Sequence, residues 1–358
     1  MEKWEKANDS MRISNLNFQS PLSLSLLIIL RNTLAFMNRI LLIFFVFLPF
    51  LSQGNMEKGN SDKDSLRVLS TQDDFWELFK EDSLWSFRSK HGYVPMLWNN
   101  LKRQATSPLR MTEGQAFFLM GAAGLTASLY YFDGDIDKKF RPLKDENPWL
   151  EQTSPHLTEL GDYYGYSFLV ISGIYSLAAK NHKLLHTTIL ASQSALSAGI
   201  WSRVGKMLTG RMRPGATYGD KEYNSDHWFG PFSEFNSAER GTRGIGAYDA
   251  FPSGHTAAAF SIATVFAGRY SDRKAVAWIA YTLATTVAVT RLVEHEHWTS
   301  DLIPGALIGY GCGRQVLNNY YRSFPQYKSP KYRRNKGKVS LSIVPMTKYT
   351  GLHCRLVF

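Results

Sequence analysis

Between Ala116 and Gly313 the chain alternates six apolar segments with polar connections: Ala116–Phe132, Tyr163–Ala179, Leu184–Ser202, His255–Gly268, Ala275–Thr290 and Leu302–Gly313. They are rich in Ala, Gly, Ser and Leu, and they are too long for ordinary strands, so each predicts a helix. The first opens at Thr112-Glu113-Gly114-Gln115, the pattern of a capping box. The expected fold is all-α, a bundle of six helices. Uncharged runs of 12 to 19 residues fall short of the roughly 20 that a membrane span needs. Short spans and the helices of a soluble bundle both fit, with membrane association favoured.

The flanks differ from this core. Ile40–Leu51 follows Met37-Asn38-Arg39 and precedes Ser52-Gln53-Gly54, which resembles a secretory signal with Met37 as the true start. An uncleaved anchor has the same pattern, so residues 1–54 are a leader or an anchor. Residues 55–111 begin as a polar linker. In Asp74–Gln104, aromatics including Trp76, Phe79, Trp85 and Trp98 recur among charges, predicting an N-terminal extension of one or two amphipathic helices. The bundle domain covers 112–320. Residues 321–358 are a basic tail and then alternating apolar positions, Val339, Leu341, Ile343 and Leu352, Cys354, Leu356, that predict a β-hairpin lying on the bundle.

Two connections stand out. Gly134–Gly161 is charged and is expected to end the first helix. Asp133-Gly134-Asp135-Ile136-Asp137 is a faint calcium-loop pattern better read as a solvated turn. Gly215–Phe251 is 37 residues rich in Gly and aromatics, including Tyr218, Tyr223, Trp228, Phe229, Phe232, Phe235 and Tyr248. A loop of that length inside a domain reads as a lid or binding loop.

Net charge of +11 adds less than it first suggests, because Arg322–Lys338 alone carries seven Lys or Arg and no acid. Without an aromatic-basic platform this tail suits an anionic membrane surface, or plain solvent, rather than nucleic acid. Cys312 and Cys354 show no metal spacing, and they pair only if the tail folds back.

The candidate chemistry gathers at helix ends. Pro252-Ser253-Gly254-His255 opens the fourth segment, where the free N–H groups of a first helical turn bind anions. Upstream, Lys206 and Arg213 are seven apart, on one helix face, and Pro214 stops the helix. Downstream, Arg291 ends the fifth segment, and His297 stands four residues before Asp301, close enough for the carboxylate to orient the ring. If helices alternate up and down, these four ends share one face of the bundle. Each signal alone is ordinary, and their convergence is not.

Lys206-x6-Arg213-Pro214, Pro252-Ser253-Gly254-His255 and Thr290-Arg291-x5-His297-x3-Asp301 together resemble the type 2 phosphatidic acid phosphatase and vanadium haloperoxidase superfamily. The one departure is Thr290 where the pattern has Ser. The resemblance covers roughly residues 112–320 and implies a metal-independent, cofactor-free phosphatase acting on a phosphate monoester or pyrophosphate, with a lipid phosphate as the favoured substrate. It implies that Lys206, Arg213, Arg291, Ser253 and Gly254 bind phosphate. His297, oriented by Asp301, would attack phosphorus and His255 would protonate the leaving alcohol. Glu294, His295 and Glu296 fall outside the family pattern; local tuning of the site and plain solvation are both open, with solvation favoured. A soluble periplasmic acid phosphatase, a vanadate-dependent haloperoxidase and a non-catalytic envelope scaffold are the alternatives, in that order. The expected location is the cell envelope, membrane-associated with the site facing the periplasm, or else the periplasm itself. Nucleic acid is not an expected partner, and oligomeric state is not legible.

Overall fold

A computed structural model describes residues 92–217, 227–233, 246–327, 338–345 and 350–357. The expectations for the leader, for the linker and amphipathic stretch before Gly92, and for the tail between Lys328 and Gly337 lie outside these residues.

The described chain is predominantly helical. Helix α1 is Tyr93–Ala105, α2 Glu113–Glu146, α3 Pro148–Thr158, α4 Tyr163–Ala178, α5 His182–Thr209, α6 Pro214–Thr217, α7 Gly254–Arg269, α8 Lys274–Val293 and α9 Thr299–Ser323. Strands β1, Lys338–Pro345, and β2, Thr350–Val357, pair antiparallel, with Lys338 opposite Val357. Each of the six apolar segments falls on one helix, with Ala179 one residue past the end of α4. At the start of α2 both halves of the capping box form: Gln115 N–H donates to Thr112 Oγ1, and Thr112 N–H donates to Gln115 Oε1.

The connection 134–161 is not a loop. Helix α2 continues through Pro142 to Glu146, and α3 follows at once. The charges that suggested a loop sit on the solvent side (Asp135, Lys138, Lys139), while Phe140 packs against Ala288, Leu292 and Leu302. A helix with one apolar stripe tolerates a charged opposite face and a single proline. The solvated-turn reading fails with it, because Asp133 and Asp137 are buried.

Helix α7 is the centre, packed against α5, α8 and α9. Its alanines at 257, 258, 259 and 263 are buried, and α9 presents Gly305, Gly309 and Gly313 to it at four-residue spacing. A Cβ at Gly309 would overlap the carbonyl oxygen of Ala257 and come within 2.9 Å of Phe260 Cβ. Small residues at this spacing let two helix backbones approach closely.

The apolar core is interspersed with buried polar residues, and several large apolar side chains face outward. Gln193, Ser194, Ser197, Thr187 and Ser172 are buried. Phe117, Phe118, Met120 and Leu125 on α2, Val170 and Ile174 on α4, and Trp278 on α8 are exposed. Among the described residues α8 alone is long and apolar enough to cross a bilayer, with a mean hydropathy of 1.5 over its best window. Cys312 is a free, buried thiol.

Gly309→Val is expected to push α7 and α9 apart and destabilise the fold by roughly 1–3 kcal/mol, the usual cost of overpacking. Thermal unfolding of the detergent-solubilised variant beside wild type measures this.

Candidate active site

Helix α5 delivers Lys206 in its last turn and then stops at Gly210, whose φ is +58°. A left-handed residue ends the helix with its N–H bonded to the Lys206 carbonyl at 3.0 Å. No side chain fits there, since a Cβ would meet the Gly230 carbonyl at 2.5 Å. The chain leaves extended, carrying Arg211 and Arg213, so the expectation that Lys206 and Arg213 share one helix face is corrected: the helix ends before Arg213, and Pro214 opens α6 instead of stopping α5. The next partners come from the stretch before α7: Arg213 N–H donates to the Ala247 carbonyl at 2.8 Å, and Ala250 N–H to that of Arg211 at 2.9 Å.

At the start of α7, Ser253 is fully buried and its hydroxyl lies 2.9 Å from Thr256 Oγ1. It does not cap the helix through its side chain, and its N–H is committed to the Asp301 carbonyl at 3.2 Å. The first-turn donors that remain for an anion therefore begin at Gly254. Lys206 Nζ would lie 4.0 Å from a Cβ at Gly254, so the ammonium sits beside this turn. His255 is three-quarters buried, with Nε2 3.7 Å from Asp162 Oδ2 at the rim.

Arg291 closes α8 and is buried. Thr290, the residue that departs from the family pattern, accepts a hydrogen bond from Thr158 Oγ1 at 3.0 Å and donates to the Val287 carbonyl. Between α8 and α9 the chain turns through His295, whose φ is +56°, and presents His297.

The His297 side chain is fully buried. Its Nδ1 lies 2.6 Å from the Ala250 carbonyl, which only accepts, so Nδ1 carries the proton and donates. Nε2 is left as a lone pair, buried and without a hydrogen-bond partner. Burial first, then the charges of Arg291, Lys206, Arg213 and His255, hold this imidazole well below its ordinary pKa, so it is neutral. Burial and the same three cations push His255 down to about 3. The structure thus brings Lys206, Arg213, Arg291, Ser253, Gly254, His255 and His297 to one pocket.

Asp301 stands differently from its expected place. Its Oδ2 is 3.7 Å from His297 Nδ1 and accepts instead from Trp298 N–H at 2.8 Å, while Oδ1 bonds Arg211. The bond that orients the ring is made by a main-chain carbonyl.

Four further charges belong to this neighbourhood. Asp249 bridges two of the cations, with Oδ2 3.1 Å from Lys206 Nζ and Oδ1 2.6 Å from Arg213 Nε. Glu296 contacts Arg213 and lies 3.3 Å from Arg291 Nη2. Arg211 and Asp133 are fully buried together. The solvated reading of 294–296 is therefore corrected: Glu294 pairs with Lys144 at 2.8 Å and accepts from Ser154, and His295 Nδ1 is 3.4 Å from Asp137. The charge balance carried the missing signal, because three cations gathered at partly or fully buried positions call for nearby carboxylates.

Residues 184–325 match the family model of the PAP2 superfamily. A curated relative, lipid A 1-phosphatase of Porphyromonas gingivalis, is 42% identical over 105 residues, 28% of this chain. The chain spans about a quarter of that relative's length, 24%. Two solved structures are also similar. Aquifex aeolicus LpxE is 24% identical over 51% of this chain and 93% of its own, with a TM-score of 0.36. A transmembrane PAP2-type phosphatidylglycerolphosphate phosphatase from Bacillus subtilis is 20% identical over 58% of this chain and 94% of its own, with a TM-score of 0.39.

Burial alone would raise the pKa of Asp249, but Lys206 and Arg213 outweigh it and hold the carboxyl below its usual value. A depressed folded-state pKa stabilises above the unfolded value, near 4, and that stabilisation is lost as pH falls through the folded value. Acid destabilisation below about pH 4 is therefore expected in the wild type and is expected to be shallower in Asp249→Asn, measured by thermal unfolding against pH.

Proposed function

We propose that this protein hydrolyses a phosphate monoester or pyrophosphate of a lipid through a phosphohistidine on His297, a reading supported by the match of residues 184–325 to the PAP2 superfamily model. The observation that carries the reading is the buried, unpartnered Nε2 of a neutral imidazole, set among Lys206, Arg213 and Arg291.

Phosphate enters against the three cations and the N–H groups from Gly254 onward, with the Ser253 side chain at the same wall. Entry requires Glu296, which is about one-third exposed, to swing away from Arg213 and Arg291. Lys206, Arg213 and Arg291 then stabilise the charge that gathers on the phosphoryl oxygens. They supply in fixed form the positive charge that a metal would bring, and no step needs a metal or other cofactor. His297 Nε2 attacks phosphorus, and the P–O bond to the lipid breaks. His255 gives its proton to the leaving oxygen, then takes one from the water that attacks the phosphohistidine. In the empty pocket His255 is too acidic to hold that proton at neutral pH. A bound phosphate dianion offsets the cations that depress it, so substrate binding itself raises its proton affinity. Asp301 positions the His297 loop through Trp298 N–H and Arg211.

A lipid substrate is supported by the exposed apolar surfaces of α2, α4 and α8, which suit hydrocarbon, and by the exposed aromatics Trp228, Phe229 and Phe232 of the 215–251 connection. The relative named a lipid A 1-phosphatase makes a phosphorylated glycolipid the first substrate to try. Read as a six-helix core, α2, α4, α5, α7, α8 and α9 would carry the proposed site at one end. The basic links 180–183 and 269–274 lie together at the other, where Lys183 is 3.6 Å from Asp272. Basic connections favour the cytoplasmic side, so the proposed site faces the periplasm.

The full chain in detergent, assayed with chelator present, is expected to release phosphate from a lipid phosphate and to be inhibited by vanadate. His297→Ala should lower kcat by about 10⁴-fold, as loss of a nucleophile does. Activity that survives in that variant would show that another group attacks.

A further inference from the structure

The fully buried Arg211 enters above only as a partner of Asp301, although it stands between Lys206 and Arg213 in sequence. Its guanidinium donates through Nη1 to Ser300 Oγ at 2.7 Å and to Asp301 Oδ1, and through Nη2 to Asp133 Oδ2 at 2.7 Å. Asp133 also accepts from Ser300 N–H at 2.9 Å and from the Ser300 hydroxyl. Three aromatic rings enclose the same group: Tyr130, Trp228 and Trp298, at 5.0, 4.8 and 5.5 Å from Arg211 Cζ. Trp228 Nε1 donates to Tyr130 at 3.0 Å. A planar guanidinium with five fixed donors is suited to hold two carboxylates at once.

The backbone of the same residue reaches the nucleophile by a second route. Arg211 O accepts from Ala250 N–H, and Ala250 O accepts from His297 Nδ1. The next carbonyl, that of Met212, accepts from Trp298 Nε1 at 2.7 Å. Both oxygens near Nδ1, Ala250 O at 2.6 Å and Asp301 Oδ2 at 3.7 Å, are thus anchored on residue 211.

We infer that Arg211, clamped by Asp133 of α2, is the positioning residue that fixes the ring and tautomer of His297. Neither side chain touches the phosphate. The role rests on the reading of His297 as nucleophile, and it extends that reading to the first long helix: α2 takes part in the reaction through Asp133. An ion pair that only holds helices together would affect stability and leave the imidazole alone.

Asp133→Asn keeps the size of the side chain and weakens its grip on Arg211, while Arg211→Lys removes the two-sided fork. Full-length protein labelled with ¹⁵N-histidine reports the His297 tautomer with or without activity. Vanadate titration counts folded pockets, so rates are expressed per vanadate-binding site. Wild type is expected to show the Nδ1–H form alone. Asp133→Asn is expected to show a mixture of tautomers, a kcat per site lower by about 100-fold, and KM and vanadate affinity within about threefold of wild type. If Arg211→Lys does not fold, Asp133→Asn and Ser300→Ala carry the same test. An unchanged tautomer and unchanged kcat per site in Asp133→Asn would overturn the inference while leaving an active wild type explained. A wild type that hydrolyses none of the lipid phosphates, yet whose His297 tautomer depends on Asp133, would sink the proposed function and not this one.

Discussion

Three cations gathered around one neutral imidazole repel one another, and the architecture of the pocket depends on how that repulsion is offset. Asp249 lies between Lys206 and Arg213, and Glu296 lies between Arg213 and Arg291. Without those carboxylates the ends of α5 and α8 would carry uncompensated charge in a water-poor cavity, which costs several kcal/mol per ion. The two acids differ in kind. Asp249 is nearly buried and holds its cations from the side. Glu296 reaches solvent and can leave. One is a permanent counter-ion, and the other occupies the place an incoming anion would take.

The same burial of charge extends inward to Asp133, Arg211 and Asp301, where no solvent reaches. Buried ion networks seldom add stability over apolar packing, but they impose geometry strongly, because any departure strands a charge. Here the geometry so imposed is that of the segment from His295 to Asp301. That segment must turn through a left-handed histidine and present a ring edge to the pocket. Around this polar centre the helices bury Gln193, Ser194 and Ser197 beside apolar residues such as Leu190, Val265 and Phe266, and leave Phe118, Val170 and Trp278 exposed. Buried hydroxyls and amides of this kind must find their hydrogen bonds inside the protein.

Much of the pocket was legible in the sequence because its residues sit at helix ends, and helix ends announce themselves. Pro252-Ser253-Gly254 marks the start of α7 and Arg291 the close of α8, whereas α5 stops at Gly210, short of the Pro214 that the sequence offered. Chemistry at fixed spacing from such marks survives folding with little ambiguity. Asp133 was illegible for the opposite reason. Its partner Arg211 is 78 residues away, and its neighbours Gly134, Asp135 and Asp137 read as turn-formers. Only the packing of α2 on α9 turns that side chain inward. The continuity of α2 was missed because a charged helical face and a charged loop have the same composition. Four-residue spacing puts Asp301 within 3.7 Å of His297 Nδ1, but spacing cannot reveal that Ala250, on a distant stretch, supplies the shorter hydrogen bond. The leader and the tail between 328 and 337 fall outside the described residues, and the Cys312 thiol is free.

The Ala250 carbonyl has a chemical consequence beyond orientation. A carboxylate facing Nδ1 is able to accept its proton outright, whereas an amide oxygen is not. Under the proposed mechanism, an imidazole phosphorylated on Nε2 while its Nδ1–H faces a carbonyl stays cationic. A protonated ring is a far better leaving group from phosphorus than a neutral one. The covalent intermediate would then be short-lived by construction, its phosphoryl group poised for transfer to the next oxygen nucleophile that reaches phosphorus.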